Sequence, residues 1–102
     1  MPQFLVTLYD GTDPDAPARR QAARPAHFAR LPEAVARGNL ISGGAILDEK
    51  GAMIGSYLLA ECESRAELDA FLAEDPYTKG GVWQRVEVRP VRVAIRDGKI
   101  TP

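Results

Sequence analysis

The chain holds one histidine, His27, and an aspartate, Asp75, that stands directly before Pro76. Together these two could do proton-transfer chemistry. The carboxylate would accept from one imidazole nitrogen, fix the tautomer and raise the basicity of the other nitrogen, leaving a general base poised near neutral pH. Each residue also has an ordinary structural reading. A half-buried helix histidine can be satisfied by backbone or water, and Asp before Pro at a helix end is common turn chemistry. The argument for a pair is topological: if both helices lie on one face of a single sheet, a group on the first helix and a group leaving the second can converge.

Other residues could complete such a site. Arg24, three positions before His27, could hold a carboxylate or phenolate, or could simply be solvated. Tyr77 and Trp83 could wall a pocket for an aromatic substrate, or serve core or interface packing. Ser42 is a further candidate for substrate contact. Neither Ser42 nor Cys62 lies in a nucleophile-elbow or thiolate-activating sequence, which argues against nucleophilic catalysis. Gly43-Gly44 is followed by no Walker lysine and opens no dinucleotide fingerprint, so it reads as a bulge or a close approach of something else. One histidine and one cysteine offer no metal-ligand spacing, and neither a metal nor a cofactor is expected.

The elements that must position these residues follow from local patterns. Residues 3–9 are β-rich and apolar at both parities, as in a strand covered on both faces. Thr12 to Pro17 reads as a turn or irregular helix entry. Ala18 to Arg37 reads as helix, with Phe28, Leu31 and Val35 as its buried stripe, a break expected near Arg24 because of Pro25 and Pro32, and Gly38 as the stop. Leu40 to Leu47 and Ala52 to Cys62 form a hairpin around Asp48-Glu49-Lys50-Gly51. Ser64-Arg65-Ala66-Glu67 is a capping box, and its helix must stop by Asp75 because Pro76 disfavours helical geometry before it. Val82 to Arg96 is a last strand whose apolar parity changes across Arg89-Pro90, implying a bulge there. This order of strand, helix, strand, strand, helix, strand predicts an α+β, ferredoxin-like sheet with helices on one face. Strands apolar on both faces then imply a homodimer through the uncovered sheet face.

Composition bounds the partners. The 102 residues fit a single domain, 1–102, and 45% apolar with 26% charged residues is the balance of a soluble globular chain. A net charge of -1 offers no field for nucleic acid. The lone cysteine excludes an internal disulfide, and the start lacks a signal-peptide pattern, so a cytoplasmic location is expected, with no membrane partner.

Two segments carry a family resemblance: Arg24-Pro25-Ala26-His27-Phe28-Ala29-Arg30-Leu31, and Asp75-Pro76-Tyr77 followed by Gly81-Val82. They resemble the YciI-like (YCII-related) family. Gly38-Asn39-Leu40 with Gly43-Gly44, and Val86-Glu87-Val88-Arg89-Pro90, extend the resemblance over nearly the whole chain. It implies a dimeric α+β barrel of ferredoxin-like units and a His-Asp pair proposed as active site, carried here onto His27 and Asp75. One characterised kind of member is similar to a dehydrochlorinase acting on a chlorinated hydroxyhydroquinone, which suggests acid-base chemistry on a small polar ring. Ala45, where many relatives carry proline, and Pro32, just after His27, depart from the pattern near the expected pocket. Three functions remain open at this level. They are a cofactor-free enzyme acting on a small hydroxylated aromatic or lactone-like substrate, a non-catalytic dimeric module that binds a small ligand or regulates, and a purely structural dimer.

Overall fold

Strand alternation decides which residues enter the core. In β1 (Gln3–Asp10), Phe4, Val6 and Leu8 are buried, while Leu5, between two of them, is 38% exposed. β3 (Met53–Glu61) buries Ser56, Leu58 and Ala60 on the same side. β1 lies between β3 and β4 (Trp83–Val91), and β2 (Leu40–Leu47) closes the far edge, giving the antiparallel order β2-β3-β1-β4. The computed structural model describes residues 1–102. Its core joins Val6, Leu8 and Leu58 to Leu68 and Leu72 of α3 (Arg65–Ala73) and to Tyr77 of α4 (Pro76–Lys79). This is the ferredoxin-like α+β arrangement, an antiparallel sheet with its helices packed on one face. No helix is long and apolar enough to cross a membrane. The opposite sheet face is half-open: Leu5 and Leu59 sit directly across from each other, and neither is buried.

The first helical region departs from its expected form. α1 (Ala16–Ala29) runs unbroken through Arg24 and Pro25. The missing Pro25 donor is tolerated because Arg20 and His27, on the turns either side, are both buried and anchor the helix. The interruption falls at Arg30, between α1 and α2 (Leu31–Ala36), where Pro32 sits in the first turn and its absent N–H would be unpaired in any case. Nor is the apolar stripe buried: Phe28 is 48% and Val35 59% exposed, and the inward face of α1 carries Arg20 and His27 instead. Gly38, at φ +79, ends α2 in the left-handed region.

Three smaller expectations change as well. Ser64 Oγ accepts from the Glu67 amide at 3.1 Å, but the Glu67 carboxylate accepts from Asn39 Nδ2 rather than closing a capping box. No bulge occurs at Arg89-Pro90. β4 is an edge strand, where a proline needs no ladder donor, and the register shift lies at Tyr9/Asp10 instead. The parity change arises because β4 ends at Val91 and the chain turns into a hairpin of β5 (Ile95–Arg96) and β6 (Lys99–Ile100). In β2 the register shifts at Leu40/Ser42 and at Ile46/Leu47, not at the glycines. Gly43-Gly44 serves close approach: a Cβ on Gly44 would lie 2.9 Å from the Tyr57 ring.

Candidate active site

Asp75 is the fixed point of the site. Pro76 holds it extended (φ -70, ψ 135) as the N-cap of α4, and its Oδ1 accepts from the Tyr77 amide at 2.8 Å. Arg30 donates from Nη1 to Asp75 Oδ2 at 3.0 Å and from Nη2 to the Phe71 carbonyl at 3.1 Å. α1 brings His27 onto the same carboxylate, with Nδ1 2.8 Å from Oδ1 and 3.0 Å from Oδ2. A carboxylate accepting from Nδ1–H leaves Nε2 with its lone pair free. Nε2 has no partner within the chain and is not sealed off, for His27 lines a cavity of about 430 Å³.

The imidazole is also fixed in plane. Tyr77 stacks on it with centroids 3.9 Å apart and 12° between planes, and Trp83 meets both rings edge-on at 5.8 and 5.3 Å. Burial pushes the Tyr77 phenol above its ordinary value, so it remains a neutral O–H at neutral pH. It too borders the cavity.

Two turns earlier on α1, Arg20 enters the core. Its Nη1 donates to both Asp10 oxygens at 2.9 Å, and both side chains are only 5% exposed. Nη2 donates to Ser56 Oγ at 2.9 Å, and the same oxygen accepts from Trp83 Nε1 at 3.1 Å. The Arg20 guanidinium lies 4.9 Å over the Tyr77 ring, and its Nε is buried without an acceptor. The Arg24 guanidinium, in no ion pair, lies 4.4 Å over the Phe28 ring at the cavity wall.

The structure therefore brings His27, Asp75 and Tyr77 into contact and sets Arg24 on the cavity that His27 and Tyr77 line, with Asp75 buried behind them. Trp83 does not line that cavity. It stands behind the His27-Tyr77 stack, because its indole N–H is drawn to Ser56. Ser42 borders the cavity, but its hydroxyl is 3.2 Å from Tyr57 Oη, and Tyr57 alternates away from the buried Ser56 and Leu58 toward the other sheet face. Arg20, Arg30, Asp10 and Ser56 are missing from the sequence-based site. The spacing of Arg20, Arg24 and His27 at i, i+4 and i+7 is a signal that could have found the first of them. No three His, Cys, Asp or Glu side chains converge to hold a metal ion. Cys62, whose thiol is pushed up by burial, borders a different cavity with Phe71 and Glu67.

Against known proteins, the model of the YCII-related domain matches residues 3–92. The chain belongs to the YCII-related family. Protein YciI of Escherichia coli O6:H1 is 33% identical over 95 residues, covering 87% of this YCII-related chain and 97% of that protein. Among solved structures, the 5-chloro-2-hydroxyhydroquinone dehydrochlorinase of Burkholderia phenoliruptrix AC1100, in complex with 2,5-dihydroxybenzoquinone, superposes with a TM-score of 0.76 at 31% identity. The match covers 88% of this chain and 93% of that one. A dimeric ferredoxin-like protein of unknown function from Jannaschia sp. CCS1 shares the fold at a TM-score of 0.56 and 13% identity, over 91% of this chain and 100% of that one.

Proposed function

We propose that this protein is a small enzyme in which His27, oriented by Asp75, moves a proton on a small hydroxylated aromatic or lactone-like substrate, while Arg24 holds its anionic oxygen. The observation that carries the reading is that His27 lines a cavity with no protein partner on Nε2 while its Nδ1 is held at 2.8 Å by a buried carboxylate. Tyr77 supplies a neutral O–H beside it, so that an acceptor, a donor and a cation border one space. The 31% identical dehydrochlorinase supports a hydroxylated ring as the substrate class. Removal of a proton from a ring hydroxyl and departure of an anionic leaving group exchange no electrons with an outside reagent. The reading therefore needs no cofactor.

We further read the protein as a homodimer through the uncovered sheet face, in the cytoplasm, where its free Cys62 stays reduced. The test of function is a turnover screen on hydroxylated and chlorinated hydroxylated aromatics with wild type and His27→Gln. The variant is expected to lose about 10²- to 10⁴-fold in kcat while retaining its melt. Ligands bound with no turnover by the wild type would instead leave a non-catalytic binding module.

A further inference from the structure

We infer that the ligand of this cavity is amphipathic: a hydroxylated ring whose anionic oxygen meets Arg24, carrying an apolar substituent of several carbons that lies against α2. The inference deepens the acid-base reading of the site and rests on it. Its first support is size. A dry cavity of roughly 150 Å³ already takes up a benzene ring, whereas this one measures about 430 Å³. An unadorned hydroxylated ring would leave more than half of it to water.

The second support is the distribution of chemistry around the wall. His27 and Arg20 each contact Tyr77, and these three with Ser56 and Arg24 supply every polar side chain of the lining except Ser42, whose hydroxyl meets Tyr57. Arg24 has no carboxylate partner, so an anionic oxygen would pair a charge the protein itself leaves unmatched, next to Arg20, whose Nη1 and Nη2 already donate to Asp10 and Ser56. The remaining wall is apolar. Three of its side chains are poorly covered by the rest of the chain: Phe28 at 48%, Val35 at 59% and Met53 at 43% exposure. Phe28 and Val35 are two members of the helical stripe that the core does not use. A substituent on the ring would remove that surface from water.

The experiment is calorimetric titration of the protein with hydroquinone and its methyl, ethyl, propyl and butyl derivatives, kept reduced. Where a methylene is fully buried, Kd is expected to fall by about fourfold for each one added. In Val35→Asp, an exposed substitution whose folding is checked by thermal melt, the ratio of hydroquinone to butylhydroquinone Kd is expected to collapse toward one. Equal affinity across the series in the wild type would overturn this inference while leaving the acid-base site standing. Failure of every member, hydroquinone included, to bind would overturn the inference together with the reading it rests on.

Discussion

Arg20 and Asp10 are the least expected pair of charges in the chain, and the cost of separating them is the sharpest residue-scale test of the site's architecture. Both side chains are 5% exposed, and the guanidinium also ties Ser56 and hence Trp83 behind the His27 imidazole. Asp10→Ala would strand a buried cation, a situation that costs about 3–5 kcal/mol. Urea unfolding should show a loss of that size. The exposed pair of Asp13 and Arg19 offers the control, since solvent screens it, and Asp13→Ala is expected to leave the urea midpoint where it was. Asp75 differs from both, because it serves three donors at once: His27 Nδ1, Arg30 Nη1 and the Tyr77 amide. Its position before Pro76 was legible in the sequence. Its partner Arg30 was not, because the kink between α1 and α2 was expected six residues earlier.

Among the elements, the central strands are held by contacts that side-chain patterns do not advertise. Gly55 of β3 packs against β1 so closely that an added Cβ would lie 2.5 Å from the Leu8 carbonyl oxygen, and backbone cannot yield as a flexible side chain can. Gly55→Ala is expected to cost about 1–3 kcal/mol of stability, read from thermal or urea unfolding. At the other end of β3, Glu61 joins three strands, accepting from Gln3 Nε2 at 2.8 Å and from Arg96 Nη2 at 2.8 Å. These hydrogen bonds, Gln3 first and Arg96 second, hold its carboxyl below the ordinary value. A carboxyl whose pKa is lower folded than unfolded stabilises the fold above the unfolded value, and that contribution disappears as pH falls through the folded one. Glu61→Gln should therefore flatten the acid limb of a melting-temperature profile below about pH 5, with little change in its slope near neutrality.

For the whole molecule, the sheet face away from the helices sets the question of assembly. Leu5 and Leu59 face each other across β1 and β3 on that side, with Leu5 38% exposed, and a second sheet laid over them would bury both. On the proposed sheet-face dimer the wild type is expected to sediment as a dimer, and a Leu5→Lys, Leu59→Lys double variant as a monomer. A wild type that already sediments as a monomer would remove the sheet-face dimer from the proposal. The cavity lies on the helical side of the sheet, so the two surfaces can be altered separately.

What the chain's residues determined by themselves was whatever depends on near neighbours. The turn at Asp48-Glu49-Lys50-Gly51, the Ser64 cap, the extended Asp75 before Pro76, the positions of β2 and β3 and the family motif are all set within a few residues, by φ preferences, side-chain to backbone hydrogen bonds and period-two alternation. Only the tertiary structure decided which way the first helix faces. Its apolar stripe argued that Phe28 and Val35 turn inward; instead Arg20 and His27 do, because each finds partners in the folded core, Asp10 and Ser56 for the one and Asp75 for the other. His27 and Asp75 are 48 positions apart, and Arg20 and Ser56 are 36 apart. A buried polar group is tolerated only when such partners arrive, and no local pattern records whether they will. The same reason placed Trp83 behind the site and the Ser42 hydroxyl beyond it: each followed a hydrogen-bond partner that folding alone brought near.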